Sequence, residues 1–261
     1  MHTAKVISIV NFKGGVAKST TAQFMAYGLA EKKYRVLLID LDQQQNTTYT
    51  LMSDNLLDID SSIYDVFMKN KDIKDTIYEA GTIDFIPSVP DMMQIDFELQ
   101  GKPDQPYRLA EGLKEVENDY DYIILDTPPA SPTIIMNALT ASDDCIIPVK
   151  ADSYSLNGIG LLSNSIKPVQ KYTNKDLKIA GFLLGFYDSR LLLSKEIKKQ
   201  LVEVVEVFDT KIFNQTIRNA VALSEAQAMK QSIFDYSPTE NVTNDIRKFI
   251  NEYLEGKEDG N

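Results

Sequence analysis

A glycine-containing loop with two lysines is the part of the sequence best suited to bind phosphate. Residues 11–20 read NFKGGVAKST, directly after an apolar run and before a stretch with helical spacing. Glycines let the backbone curl so that successive N–H groups point at phosphate oxygens, and a helix N-terminus adds partial positive charge. We expect Lys18 to reach the β- and γ-phosphates of a nucleotide and the Ser19 hydroxyl to ligate Mg²⁺. The predicted phosphate-binding residues are Lys13, Gly14, Gly15, Val16, Ala17, Lys18, Ser19 and Thr20.

This loop departs from the ordinary P-loop, which has glycine six residues and one residue before the lysine. Phe12 and Ala17 occupy those places, and a second lysine, Lys13, precedes the glycine pair. An incidental glycine turn is the alternative interpretation. The strand–loop–helix context that the motif requires favours a deviant, two-lysine phosphate loop.

Aspartates follow two other apolar runs. Asp40 and Asp42 come at the end of the second run, and Asp126 closes the run YIILD and is followed by the turn 127–129. An aspartate at the end of a strand can simply favour a turn. Mg²⁺ needs few carboxylates when phosphate oxygens and water complete its shell. The sequence therefore predicts a metal site formed by Ser19, Asp42 and Asp126.

Alternating strand and helix signals position these motifs. Runs too apolar to alternate, separated by helices, indicate a parallel sheet covered on both faces. Right-handed crossovers then give an α/β fold, a doubly wound and mostly parallel sheet flanked by helices, with ligands at the carboxyl ends of the strands. The predicted strands are residues 5–10, 35–40, 83–86, 122–126, 145–149 and 179–186, and the clearest predicted helices are 19–30 and 241–254.

The composition limits the possible classes of protein. With 43% apolar residues and no apolar stretch long enough to span a membrane, residues 1–261 are expected to form one domain. The acidic tail 255–261 is expected to fray. Cys145 is the only cysteine, which excludes an internal disulfide and a cysteine-ligated cluster. A net charge of −11 argues against nucleic-acid binding unless a local basic face exists.

Beyond these motifs, the sequence resembles the ParA/Soj partition ATPases, within the group that includes MinD, the nitrogenase iron protein and the arsenite-pump ATPases. The resemblance implies a P-loop NTPase of the deviant Walker A type, with ATP and Mg²⁺ as cofactors and slow, partner-stimulated ATP hydrolysis. The matching segments are 13–19, 40–42, 126–129, 181–197 and 216–226, within a resemblance that spans residues 5–254.

The chain departs from the usual pattern of that family in three places. Relatives usually read Asp-Pro-Gln-Gly-Asn where residues 42–46 read Asp-Gln-Gln-Gln-Asn, so this loop is expected to be less preorganised. Ala222 stands where an arginine is usual, and residues 229–231 lack an expected glycine.

The family mechanism implies a homodimer in the ATP state, closed face to face around two nucleotides. Lys13 would then reach the phosphates of the partner subunit and stabilise charge that develops during transfer. Asp42, with Asn46, would orient the attacking water. The catalytic residues implied by the resemblance are Lys13, Lys18, Asp42 and Asn46.

Two classes of function remain open. In one, the ATP dimer segregates DNA, binding it without sequence preference, and a ParB-like centromere-binding protein stimulates hydrolysis. In the other, a MinD-like ATPase positions a protein cargo or acts at a membrane. MinD-type proteins end in a basic amphipathic helix, whereas this chain ends in an acidic segment, 255–261. The first class is favoured, with no membrane partner and a cytoplasmic, nucleoid-associated location.

Family resemblance also suggests where the adenine and the DNA bind. Aromatic and proline faces suit a purine ring, and the adenine is expected at Phe186, Tyr187, Asp188, Ser237, Pro238 and Thr239. Between Arg190 and Arg218 the chain has six basic and four acidic residues, a local charge of +2. Ordinary solvated lysines are the alternative interpretation. The predicted DNA-binding residues are Arg190, Lys195, Lys198, Lys199, Lys211 and Arg218.

Overall fold

One sheet of eight strands runs through the computed structural model, which describes residues 3–52, 59–150, 159–188 and 190–258. The strands are β1 (Lys5–Ile9), β2 (Val36–Asp40), β3 (Tyr78–Ala80), β4 (Ile83–Ile86), β5 (Tyr122–Asp126), β6 (Asp144–Lys150), β7 (Lys178–Tyr187) and β8 (Ile217–Arg218). Their order across the sheet is β3-β4-β2-β5-β1-β6-β7-β8. Neighbours are parallel except β3 and β4, which are antiparallel.

Helices connect and flank these strands. They are α1 (Lys18–Glu31), α2 (Asn46–Leu51), α3 (Ile63–Met68), α4 (Ile95–Glu98), α5 (Arg108–Leu113), α6 (Pro132–Ala141), α7 (Ile159–Tyr172), α8 (Leu192–Val207), α9 (Val221–Ala228), α10 (Ile233–Tyr236) and α11 (Asn241–Glu258). Short 3₁₀ turns occupy Ile73–Thr76, Pro90–Gln94 and Gln105–Tyr107. The predicted α/β fold, a doubly wound and mostly parallel sheet flanked by helices, is confirmed.

The sequence predicted six of the strands, each to within one residue at either end. It did not predict β3 and β8, which form the two edges of the sheet. These strands have three and two residues and contain no apolar run from which a strand could be recognised.

Alternate residues of the central strands face opposite sides of the sheet. Leu38 packs with α1 and α11, while its neighbours Leu37 and Ile39 pack on the side of α3, α5 and α6. Gly28 lets α11 approach α1 closely, because a Cβ there would collide with the Ile250 side chain. The helix that follows the phosphate loop is thereby fixed between the sheet and α11.

The last helix extends further than predicted. α11 ends at Glu258, so the first four residues of the tail expected to fray are helical. Residues 259–261 lie outside the described part of the chain. No helix among the described residues is long and apolar enough to cross a membrane. Cys145 is buried in β6, where burial raises the pKa of its thiol.

Candidate nucleotide-binding site

The predicted phosphate loop and aspartates come together at one edge of the sheet. β5 lies between β1 and β2, and Asp126 pairs in register with both Ile9 and Asp40. The carboxyl ends of these strands therefore place the aspartates beside the loop that follows β1. A cavity of about 670 Å³ opens there, lined by the loop, the start of α2 and the end of α9. This volume suits a nucleotide-sized ligand.

The glycine pair leaves the loop open toward this cavity. A Cβ built on Gly14 or Gly15 would meet no atom within 4 Å, and Gly15 has a φ of +73°, which favours glycine. Val16 is buried and anchors the loop in the hydrophobic core. The backbone can therefore be approached closely by phosphate oxygens.

Ala17 occupies a strained position directly before α1. Its φ of +66° lies in the left-handed region, although it has a side chain. The left-handed conformation costs a non-glycine residue about 1–2 kcal/mol. This residue is one of the two at which an ordinary P-loop has glycine.

Ala17→Gly should therefore stabilise the protein without nucleotide, by about 0.5–1 kcal/mol after the greater chain entropy of glycine is subtracted. Urea denaturation of the ligand-free protein measures this. Ala22→Gly, in the interior of the same helix, is the matched control and should destabilise by about 1 kcal/mol or more. A loss of stability in Ala17→Gly comparable with the control would contradict the assignment of strain to Ala17.

Lys18 points its ammonium into the loop. The residue is 7% exposed, and Nζ donates to the carbonyl oxygen of Lys13 at 3.1 Å. Burial lowers the pKa of Lys18, and the charges of Asp126 and Asp42 partly oppose that shift. A buried ammonium with incomplete compensation favours an anionic ligand. Lys13 itself is half-buried at the start of the loop, where its N–H donates to Asn11 Oδ1 at 2.9 Å.

The carboxylate of Asp40 accepts three hydrogen bonds from the protein. Its Oδ2 accepts from both the N–H and the hydroxyl of Thr48, each at 2.8 Å, and its Oδ1 accepts from the N–H of Asp42 at 3.0 Å. Burial, and then the charge of Asp126, raise the pKa of Asp40 to about 8. This carboxyl fixes the loop before α2, and both of its oxygens already accept hydrogen bonds from the protein.

Both carboxylate oxygens of Asp40 accept hydrogen bonds, whereas only one oxygen of Asp126 does so in the described part of the chain. Its Oδ2 accepts from the Thr47 hydroxyl at 2.8 Å, while Oδ1 is buried with no hydrogen-bond partner in the described part of the chain. Burial raises the pKa of Asp126 to about 6, and the Thr47 hydrogen bond and the nearby Ser19 hydroxyl oppose the shift. An unpartnered buried carboxylate oxygen beside a serine hydroxyl fits a bound Mg²⁺ or its water. Among the described residues no cluster of three His, Cys, Asp or Glu could hold a metal, so phosphate oxygens would have to complete the shell.

Asp42 and Asn46 also line the cavity. Asp42 is buried, and its Oδ1 accepts from the N–H of Gln44 at 3.0 Å. Gln45 has a φ of +56°, and its side chain donates to the carbonyl of Ser88 at 2.8 Å. This tether holds the loop at the position where the family resemblance leads us to expect glycine, and no pattern in the sequence predicted it.

The two predicted adenine segments do not lie together. Phe186 stands beside Ala17 in a narrow cleft, and Lys150 Nζ lies 5.4 Å from the Phe186 ring centroid. Pro238 instead accepts from Arg247, which pairs with Glu31 at the far end of α1. Since α1 has 14 residues, that end lies about 20 Å from the loop.

The structure therefore places Pro238 at the far end of α1 from the phosphate loop, and contact of Ser237, Pro238 and Thr239 with adenine stays a prediction. The wall opposite Phe186 is formed by Ile217, Arg218 and Leu223. Tyr187 is the last residue of β7 and Asp188 follows it, and contact of these residues with adenine stays a prediction. The two-residue strand that supplies the opposite wall gave no sequence signal.

The structure also divides the predicted basic face. Leu201 and Val205 pack α8, with Lys195, Lys198 and Lys199, on the side of the sheet that contains α6 and α7. Arg218 instead donates to Asp245 of α11, on the other side, at 2.6 and 3.0 Å. Lys211 also lies on the α11 side, 5.3 Å from the ring centroid of Phe213.

Both arginines of that predicted face are neutralised by carboxylates. Arg190 donates twice to Asp188, at 3.0 and 2.7 Å, and Asp245 binds Arg218 in the same bidentate way. Asp188 and Asp245 lie outside residues 190–218, where six basic and four acidic residues were counted. With these two aspartates included, the six basic residues are matched by six acidic ones. The structure therefore separates these residues and keeps the three α8 lysines together on one helix, while their contact with DNA stays a prediction.

Comparison with known proteins gives consistent matches over most of the chain. A family model described as an AAA domain matches residues 4–179. The sporulation initiation inhibitor protein Soj of Bacillus subtilis is 37% identical over 237 residues, which cover 90% of this chain and 92% of that protein. The chromosome-partitioning ATPase Soj of Thermus thermophilus is 32% identical over 97% of this chain and 98% of that protein.

The fold of this chain matches that of a solved structure along nearly the whole length of both chains. Cobyrinic acid a,c-diamide synthase from Mycobacterium smegmatis, with bound ADP and magnesium, superposes with a TM-score of 0.82 at 26% identity. The match covers 99% of this chain and 97% of that one.

Proposed function

This chain belongs to the ParA/Soj family of partition ATPases, and on that premise we propose that it segregates DNA through an ATP-timed cycle of dimerisation. The observation that carries the proposal is one cavity lined by Lys18, other residues of the phosphate loop and Asp42, with Asp126 buried close enough to Lys18 for its charge to act on that ammonium. We treat residues 1–261 as one ATPase domain, since α11 packs in the same core cluster as α1.

ATP and Mg²⁺ are the cofactors of this site. Lys18, Gly14 and Gly15 would hold the phosphates, while the Ser19 hydroxyl and the free Oδ1 of Asp126 would hold Mg²⁺ or its water. When bound, Mg²⁺ neutralises phosphate charge and orients the transferred group. The segment around Phe186 is the proposed place for the adenine, and the cleft there, with a volume of about 20 Å³, would have to widen to admit a purine.

Lys13, Asp42 and Asn46 are assigned to hydrolysis. Asp42 lies buried at the cavity wall, where a carboxylate can accept a hydrogen bond from the attacking water. Asn46, exposed at the start of α2, can hold the same water by its side-chain amide. Lys13 would act across a homodimer interface on the phosphates of the partner, as an arginine finger does.

The homodimer gives ATP its role as a switch. A ligand shifts an equilibrium only by the contacts that it makes in one state and not in the other. If Lys13 meets the γ-phosphate only in the dimer, ATP favours dimerisation and ADP does not. Hydrolysis, stimulated by a ParB-like centromere-binding protein, would then return the chain to monomers.

Nonspecific DNA is the proposed partner of the ATP dimer, in a cytoplasmic and nucleoid-associated protein with no membrane partner. Lys195 and Lys199 are exposed on α8 and Lys198 is half-buried, and one helix face can present all three. Dimerisation doubles the number of such faces, so it strengthens binding through avidity. The acidic remainder of the chain would keep this binding weak and sensitive to salt.

Lys198→Glu/Lys199→Glu should weaken ATP-dependent DNA binding and flatten its dependence on salt. Each lost phosphate contact lowers the log–log slope by about 0.9, so the loss is about two per protomer. Fluorescence anisotropy with a labelled random duplex at several salt concentrations measures both quantities.

Lys175→Glu/Lys178→Glu is the matched control, because it makes the same charge change at the amino ends of the strands. It should keep a slope close to that of the wild type. Equal slopes in the wild type and the α8 variant, with ATP dimerisation intact, would show that α8 is not the DNA site. Arg218→Glu is unsuitable here because it would set two carboxylates against each other at Asp245.

A further inference from the structure

A line of hydrogen bonds runs from α9 through α1 and α2 to Asp126. Gln227 Nε2 donates to Gln23 Oε1 at 3.2 Å and lies 3.1 Å from the Thr20 hydroxyl. Gln23 Nε2 donates to the Thr47 hydroxyl at 3.2 Å, and that hydroxyl donates to Asp126 Oδ2 at 2.8 Å. We call Gln227, Gln23 and Thr47 the amide relay.

The chemistry of the groups fixes the direction of every bond in the relay. An ionised carboxylate only accepts, so Thr47 must donate its one proton to Asp126. Thr47 can then only accept from Gln23, which turns the amide N–H of Gln23 toward Thr47 and its oxygen toward Gln227. Gln23 and Thr47 are 6% and 0% exposed, so water does not compete readily for these bonds.

Resting on the metal site proposed above, we propose that the amide relay positions Asp126 for Mg²⁺ and couples this carboxylate to α9. Thr47 occupies Oδ2 and so leaves Oδ1 as the oxygen available to the metal side. Gln23 in turn holds the Thr47 hydroxyl in the rotamer that donates to Asp126. These are positioning residues, because they act through Asp126.

The end of α9 connects the relay to the rest of the nucleotide cavity. Gln227 and Ala228 line that cavity, and Lys230 Nζ lies 5.0 Å from the ring centroid of Tyr49 in α2. α9 therefore touches the nucleotide site at one end, while its other end follows β8 at the edge of the sheet. A shift of Asp126 on metal binding can reach this segment through three side chains.

The first test replaces Thr47 by valine, which has nearly the same shape but cannot donate. Partners of metal ligands typically contribute 10–100-fold to metal affinity. We expect the Mg²⁺ concentration for half-maximal binding of a fluorescent, non-hydrolysable ATP analogue to rise about tenfold in Thr47→Val. Binding of the same analogue in EDTA should not change. Thr47→Ser should restore the Mg²⁺ affinity, because it restores the donor.

Thr76→Val is the control for losing a buried hydroxyl elsewhere, since Thr76 is fully buried and bonds only locally, to Ile73. It should leave Mg²⁺ affinity unchanged. Gln227→Leu provides a second arm should Thr47→Val fold poorly, because Gln227 is only half-buried. Gln227→Leu should weaken Mg²⁺ affinity about two- to threefold, and the double variant should lose less than the product of the two single effects.

The variant Asp126→Asn distinguishes an error in the proposed metal site from an error in the amide relay. If this variant keeps the Mg²⁺ affinity of the wild type, the proposed metal site is wrong. If Asp126→Asn loses Mg²⁺ affinity while Thr47→Val and Gln227→Leu both keep it, the relay is overturned and the proposed metal site stands. A loss in Thr47→Val that occurs equally in EDTA would also overturn the relay, because it would reflect damage to the loop.

Discussion

Lys18→Met should abolish measurable ATP binding while leaving the ligand-free protein at least as stable as the wild type. The ammonium of Lys18 is a buried positive charge within the phosphate loop, and each charge-assisted hydrogen bond contributes about 1.5–3 kcal/mol. Two such bonds correspond to a loss of roughly 100-fold or more in affinity. Calorimetric titration with ATP and Mg²⁺ measures this loss.

The expected stability of ligand-free Lys18→Met follows from the lowered pKa of Lys18 in the wild type. A folded-state pKa below the unfolded one means that burying the charged form opposes folding, and this penalty is present at pH values below the unfolded pKa. Methionine removes the charge and keeps the length of the side chain, so the melting temperature without nucleotide should not fall. Lost binding accompanied by a large drop in melting temperature would point to a broken loop instead.

Lys13→Ala is the natural comparison, because Lys13 lies in the same loop but is only half-buried. It should keep most of the ATP affinity and lose hydrolysis, since its proposed target is the nucleotide of the partner subunit. Equal losses of ATP affinity in Lys13→Ala and Lys18→Met would assign both lysines to the same role in the loop.

Asp42→Ala should lower the rate of ATP hydrolysis about 100-fold or more, which is within the usual contribution of a positioned acid or base. ATP binding should persist, because the phosphate contacts assigned to Lys18 and the glycine pair remain. Phosphate release in single-turnover conditions measures the rate. Gln44→Ala is the control, since Gln44 is an exposed neighbour whose backbone N–H, not its side chain, contacts Asp42. A normal rate in Asp42→Ala would remove this residue from the mechanism.

The sequence predicted the features that depend on short segments. An apolar run followed by a glycine loop and a helix specified β1, the phosphate loop and α1 to within one residue. The pattern of apolar runs also predicted a parallel sheet, while the pairing of β5 with both β1 and β2, which brings Asp40 and Asp126 together, came from the structure. Local propensity and the rules of sheet topology are sufficient for such elements.

Contacts between distant segments could not be predicted in this way. The partners Gln227 and Gln23 are 204 residues apart, and Arg218 and Asp245 are 27 residues apart on different elements. A count of charges along the chain treats an arginine as free even when a carboxylate from another helix neutralises it. The position of residues 237–239 could not be predicted for the same reason, because the packing of α10 and α11 sets it.

Sedimentation velocity of the wild type and of Asp42→Ala, with ATP, with ADP and without nucleotide, shows whether ATP controls dimerisation. We expect a 29.4 kDa monomer without nucleotide and with ADP, and a dimer with ATP that persists in Asp42→Ala. Added random DNA should sediment with the protein only in the ATP samples. A monomer in every sample, or a dimer that forms regardless of the nucleotide, would contradict the claim that ATP times dimerisation.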